Sequence, residues 1–198
     1  MKVLIFGGFL GSGKTTIIRD LIQTIRKNQA GTIVVIENEI GQFGVDDLVM
    51  GEADVEVRTL TGGCVCCQIT GSLIAAMKEI DAKLHPDWLV IELSGIAYLS
   101  GIKETIFTCA PEFSHTYTIA VADASRWQRL LRAAEPLIRN QVCGSDLIIV
   151  NKCDLNENAH AVAREAASLG KNDRLLLMNA AQDSGDALLN RLQEMEVE

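Results

Sequence analysis

The sequence predicts a doubly wound α/β domain, with a mostly parallel sheet and helices on both of its faces. Three observations lead there. Short apolar runs alternate with segments of helical period from end to end, the pattern of β-α units whose parallel strands are covered on both sides. A glycine-rich loop joins the first apolar run to the first helical segment. The length of 198 residues suits one such domain with one sizeable core.

Taken in order, Lys2–Phe6 reads as a buried strand and Lys14–Lys27 as an amphipathic helix. Thr32–Ile36 is a second strand, followed by the Gly-rich acidic loop Glu37–Asp47. Val55–Thr59, with alternating charge, is a short strand that leads into a cysteine loop, and Gln68–Lys83 is helical in period. Trp88–Ile91 is a strand opened by His85-Pro86-Asp87. Ala97–Cys109 is expected to be helix, Thr116–Ala122 strand and Arg126–Asn140 mostly helix. Leu147–Val150 is a strand, Ala159–Leu169 a helix, Arg174–Leu177 a strand and Asp186–Met195 the final helix. No linker-like run, low-complexity tract or solenoid repeat interrupts the chain, so a single domain over 1–198 is the expectation.

A hydrophobic fraction of 48% and a charged fraction of 22% are ordinary for a globular protein. The net charge of −8 argues against a nucleic-acid partner, because such domains are usually basic. The apolar N-terminal run is too short to span a membrane and passes straight into the glycine loop, and no later segment reaches spanning length without a charge. The expected location is cytoplasmic, with no membrane partner, and there thiols stay reduced.

Gly8-Phe9-Leu10-Gly11-Ser12-Gly13-Lys14-Thr15 satisfies G-x-x-x-x-G-K-[ST] between a strand and a helix, which predicts a P-loop NTPase. Gly8, Gly11 and Gly13 let the backbone curl around phosphates with N–H groups inward, and the following helix N-terminus adds favourable partial charge. Lys14 is expected on the β- and γ-phosphates and the Thr15 hydroxyl on Mg²⁺, with Ser12 and Thr16 completing the nucleotide-binding run.

Asn151-Lys152-Cys153-Asp154 follows a strand, where an N-K-x-D base-reading motif belongs. The Asp154 carboxylate can accept from guanine N1–H and N2–H₂ together, a pair adenine lacks. Asn151 would orient the loop, and Lys152 would lie along the base and the phosphate loop. Asn179-Ala180-Ala181 sits where a GTPase places a backbone contact to the base oxygen, although it departs from S-A-K. GTP is the expected nucleotide.

Leu89-Val90-Ile91-Glu92-Leu93-Ser94-Gly95 is an apolar strand ending in a carboxylate and then a glycine. Glu92 takes the Walker B position for Mg²⁺, and Gly95 could swing its N–H onto the γ-phosphate. Glu37-Asn38-Glu39 opens the acidic loop in switch I position, and Asp46-Asp47 close it. Lys14, Glu37 and Glu92 are the candidate catalytic residues. The residue types leave open which loop carboxylate positions the attacking water.

Gly62-Gly63-Cys64-Val65-Cys66-Cys67 crowds half of the six cysteines into four positions. Adjacent cysteines make a strained disulfide, whereas reduced thiols at this spacing suit one soft or borderline cation such as Zn²⁺. A helix starting near Gln68 would favour thiolates at its N-terminus. The fourth ligand would be Glu37, Glu39, a water or a client protein; redox sensing is the other reading of the loop. Cys109, Cys143 and Cys153 fit no ligand spacing and read as small packed side chains, and His85, His115 and His160 as surface or loop residues.

These stretches resemble the CobW-type metal-handling GTPases, relatives of UreG and HypB. The resemblance runs over GFLGSGKTT, ENEIGQFGVDD, GGCVCC, IELSG, VADAS and NQVCGSDLIIVNKCDL, and GGCVCC is its most specific element. It implies that Cys64, Cys66 and Cys67 bind a transferred metal, Zn²⁺ or Co²⁺, with Glu37 and Glu39 as helpers. It also implies slow GTP hydrolysis coupled to delivery of that metal to a client metalloprotein or a cofactor pathway such as cobalamin, and a homodimer formed with nucleotide. The chain departs from the family where Ile96-Ala97-Tyr98-Leu99 replaces an acidic-Pro pattern. It also ends soon after the GTPase region, so the family's C-terminal domain is expected to be absent, and either client docking falls to another protein or the domain serves a narrower task. Two other functions stay open: a P-loop kinase with structural cysteines, and a GTP-dependent partner-binding switch for a corrinoid or metal enzyme.

Overall fold

A computed structural model describes residues 1–28, 31–37, 55–59 and 66–197. Strands β1 (Lys2–Gly7), β2 (Ile33–Glu37), β3 (Val55–Thr59), β4 (Trp88–Glu92), β5 (Thr116–Asp123), β6 (Leu147–Asn151) and β7 (Leu175–Leu177) form one sheet in the order β3-β2-β4-β1-β5-β6-β7. Every pairing among them is parallel, so the mostly parallel expectation becomes an all-parallel sheet among the described strands. Helices α1 (Lys14–Lys27), α2 (Cys66–Leu84), α3 (Ile102–Cys109), α4 (Trp127–Val142), α5 (Ala159–Gly170) and α6 (Asp186–Val197) connect and cover it.

Period-2 alternation within each strand divides the core into two layers. Val3 and Ile5 of β1 face one layer, while Leu4 and Phe6 face the other. The first layer takes Leu73, Met77 and Ile80 of α2, Trp127 and Ile138 of α4, and Val162 and Ala166 of α5. The second takes Ile17, Leu21 and Ile25 of α1 with Leu188 and Leu192 of α6. Each helix contributes a one-sided stripe at helical spacing, which is why apolar runs and stripes alternate along the chain.

Three boundaries differ from expectation. Only Ile102–Cys109 of the span Ala97–Cys109 is helical: Gly101 at φ 82° caps α3, and Ser94–Ser100 is a loop between β4 and α3. Helix α2 begins at Cys66, two residues before Gln68, which puts Cys66 and Cys67 in its first turn. Helix α4 is broken at Ala134 (φ −147°, ψ 41°), two residues before Pro136, whose ring excludes a straight helix.

Candidate nucleotide and metal site

In a parallel sheet the strand C-termini share one edge, and ligands bind in the crevice outside it. Here that edge collects Gly7, Glu37, Glu92, Asp123 and Asn151, with Glu37 beside Glu92 and Asp123 beside Asn151 in register. The loop 8–13 leaves β1 at this edge and enters α1, whose first turn holds no acidic residue. Gly8, Gly11 and Gly13 adopt φ of 145°, 73° and 98°, as a loop curling back on itself requires. A Cβ at Gly8 would stand 2.4 Å from the Val121 carbonyl oxygen.

Lys14 is buried and donates to the Gly8 carbonyl at 2.9 Å, while its Nζ lies 4.0 Å from Glu92 Oε1. The Thr15 hydroxyl donates to both Glu92 oxygens, at 3.0 and 3.1 Å. Sequence reasoning paired these two residues across the Mg²⁺ position, and the fold brings them into contact. A hydroxyl and a carboxylate side by side are the hard oxygen donors Mg²⁺ prefers. Ser12 Oγ is buried without a hydrogen-bond partner among the described residues, a donor available to an anion on the loop. Thr16 is exposed on the same turn.

The candidate base-reading motif also closes onto the loop 8–13. Asn151, buried at the end of β6, donates from Nδ2 to the Ser12 carbonyl at 2.9 Å and accepts the Ala180 N–H on Oδ1 at 2.9 Å. One carboxamide thus ties the loop after β7 to the glycine loop 8–13. Lys152, at φ 61°, donates to the Gly11 carbonyl at 2.6 Å and to Asp123 Oδ2 at 2.8 Å. Asp154 is exposed in the tight turn Cys153–Leu155, and the Asn179 N–H bonds the Asp183 carboxylate at 2.5 Å.

Three site residues escaped sequence reasoning: Asp123, Arg126 and Gln141. Asp123 had a usable signal, since it ends an apolar strand as Glu92 and Asn151 do. Its carboxylate is fully buried. Burial is the largest single influence and pushes its pKa up, but the hydrogen bonds from Lys152, Ser125 and Arg126 together outweigh it and hold the group below the usual carboxylate range. Arg126 donates from Nη2 to the Leu10 carbonyl at 2.9 Å, and Gln141 from Nε2 to the Gly95 carbonyl at 3.0 Å. Nothing in their spacing distinguishes either from an ordinary polar helix residue.

Of the expected metal ligands, Cys64 and Glu39 lie outside the described residues, as do Asp46 and Asp47. Cys66 and Cys67 open α2, and Glu37 closes β2; their side chains are likewise outside the description. Among the described residues no group of three or more His, Cys, Asp or Glu side chains is placed to hold a metal ion. Cys143 and Cys153 are partly buried as expected, but Cys109 is exposed at the end of α3, a correction to its reading as a packed side chain. His85, His115 and His160 are exposed, and no described helix is long and apolar enough to cross a membrane.

The family model described as CobW/HypB/UreG, nucleotide-binding domain, matches residues 2–176. The chain is 32% identical over 188 residues to the zinc chaperone YjiA of Escherichia coli (strain K12), covering 91% of this chain and 55% of that protein. It is 39% identical over 178 residues to the zinc chaperone CobW of Sinorhizobium sp, covering 75% and 49%. The fold superimposes on the Zn(II)-bound YjiA GTPase from E. coli with a TM-score of 0.62 at 24% identity, over 93% of this chain and 58% of that one. The chain therefore spans about half the length of the curated relatives it matches.

Proposed function

The chain belongs to the CobW/HypB/UreG family of nucleotide-binding domains, and from that premise we propose that it binds and slowly hydrolyses GTP and couples the nucleotide state to loading and release of a transition-metal ion, Zn²⁺ or Co²⁺. The metal is cargo for a client metalloprotein or a cofactor-pathway enzyme. The observation that carries the reading is the Thr15–Glu92 contact beside the Lys14 ammonium, between residues 77 positions apart. A merely structural glycine turn has no need of it.

Loop amides, Ser12 and Thr16 receive the phosphates, and Lys14 leaves the Gly8 carbonyl to neutralise charge that builds between the β- and γ-phosphates. Thr15 and Glu92 would hold Mg²⁺, which would supply charge neutralisation for the phosphates. Glu37, whose backbone pairs with Glu92 at the sheet edge, would order the attacking water. Asn151 keeps the base loop against the phosphate loop, Asp154 accepts from guanine, and the Asn179–Ala180 segment lines the base. Cys66 and Cys67, at the N-terminus of α2, gain from the helix dipole as thiolates and with Cys64 take the metal; Glu37 and Glu39 are further ligands. Glu37 thereby joins the hydrolytic edge to the metal loop.

Anaerobic Zn²⁺ titration of the whole chain with GDP and with a slowly hydrolysed GTP analogue tests the coupling. The expected result is a difference of ~5–150-fold between the two states, abolished in Cys66→Ala/Cys67→Ala. Equal affinities in both states, or Zn²⁺ affinity untouched by the double substitution, would overturn it. Competition by ATP equal to that by GTP would remove the guanine assignment.

A further inference from the structure

We propose that Asp123 is a positioning residue for nucleotide binding, holding the phosphate loop in its binding shape through Arg126 and Lys152. The assignment rests on the reading of loop 8–13 as the phosphate cradle. Asp123 Oδ2 accepts from Lys152 Nζ and from Arg126 Nε, each at 2.8 Å, and Arg126 Nη2 also stands 2.8 Å from it. Its other oxygen accepts the Ser125 N–H at 3.0 Å and the Ser125 hydroxyl at 2.6 Å. Each of the two cations then reaches onward to one carbonyl of the loop: Arg126 to Leu10 at 2.9 Å, Lys152 to Gly11 at 2.6 Å.

The consequence follows from peptide geometry. A peptide unit is planar, so fixing its carbonyl fixes the N–H of the next residue. With the Leu10 and Gly11 carbonyls both held, two consecutive peptide planes of the loop are set before any phosphate arrives. That removes ordering entropy from the binding step, which glycine at 11 would otherwise make large. A carboxylate is needed at the hub because two cations share it, and without its charge their mutual repulsion works against holding both carbonyls at once. One acid against two bases leaves the trio with net positive charge beside the phosphates, so the buried carboxylate does not repel them.

A purely structural ion network would lower stability when cut and leave nucleotide affinity alone. Asp123→Asn preserves shape and removes the charge. Expected for this variant is a weakening of GTP and GDP binding alike by about 10- to 100-fold, with KM raised in proportion and kcat within about threefold of wild type, because the loop contacts phosphates in ground and transition states equally. Arg126→Ala should weaken binding in the wild-type background, add little in the Asp123→Asn background, and be partly rescued by Arg126→Lys. A folded Asp123→Asn protein that binds both nucleotides normally overturns the proposal, as does strict additivity with Arg126→Ala. Should Asp123→Asn not fold, the partly exposed Arg126 decides alone: wild-type affinity in Arg126→Ala overturns the proposal. Failure of the wild-type chain to bind any nucleotide strikes instead at the reading of the loop.

Discussion

At Gly13 a single added methyl group would stand 2.3 Å from Asn151 Nδ2, at a φ of 98° that an L side chain rarely adopts. Gly13→Ala must therefore break the bond from Asn151 to the Ser12 carbonyl as well as strain the backbone. The expected cost is about 1–3 kcal/mol of stability and a loss of nucleotide affinity of at least about tenfold, read by thermal melting and by fluorescent-nucleotide titration. At this scale the glycine loop 8–13 was legible because glycine, lysine and threonine at these offsets after a strand form a recognisable pattern. Asp123 was not, since an acid after an apolar run is common, and its meaning came from two cations that the fold delivers from 3 and 29 positions away.

Helix α4 braces two neighbouring loops, the glycine loop 8–13 and the loop that follows β4. Arg126, just before its first turn, reaches the Leu10 carbonyl, and Gln141, in its last turn, reaches the Gly95 carbonyl. Gly95 is itself packed on Leu10, where a Cβ would come within 2.6 Å of the Leu10 nitrogen. Gln141 is buried, and Asn140 beside it donates to the Ser100 hydroxyl at 2.7 Å. Gln141→Leu should leave the carbonyl of Gly95 unpaired and cost about 1–3 kcal/mol. Hydrogen exchange over Ser94–Ser100 should rise while that of β1 and β4 stays slow; uniform exchange in the variant would contradict the bracing role. Ala97–Cys109 was expected to be helix throughout; Leu99 and Ile106 are both buried, but only Ile102–Cys109 is helical. The residues before Gly101 are instead held by α4, through bonds from Gln141 to the Gly95 carbonyl and from Asn140 to Ser100.

For the molecule as a whole, acid should be destabilising in a defined window. Asp87 sits below its ordinary pKa chiefly because the backbone N–H and hydroxyl of Thr32 hydrogen-bond it, and Asp123 is depressed as described above. A carboxylate depressed in the folded state contributes stability that is complete above its unfolded pKa, about 3.9, and is lost as pH falls through the folded value. Asp20, raised by burial, has the opposite sign and offsets part of this as it takes up its proton. The urea midpoint should therefore hold nearly level from pH 7 to about 5 and fall below about 4, and Asp123→Asn should flatten that fall. An unchanged acid limb in the variant would show that Asp123 is not depressed.

Strand and helix alternation, the glycine loop between β1 and α1, the carboxylate that ends β4 and the asparagine that ends β6 were all legible in the sequence, because period, glycine placement and strand-end chemistry are local properties of a chain. Strand order, the placing of β1 between β4 and β5, and the gathering of five strand ends on one edge were decided by tertiary packing of two apolar layers. So was the junction of Asp123, Arg126 and Lys152 on two loop carbonyls. Contacts across such separations depend on which strands become neighbours, and no local pattern encodes that.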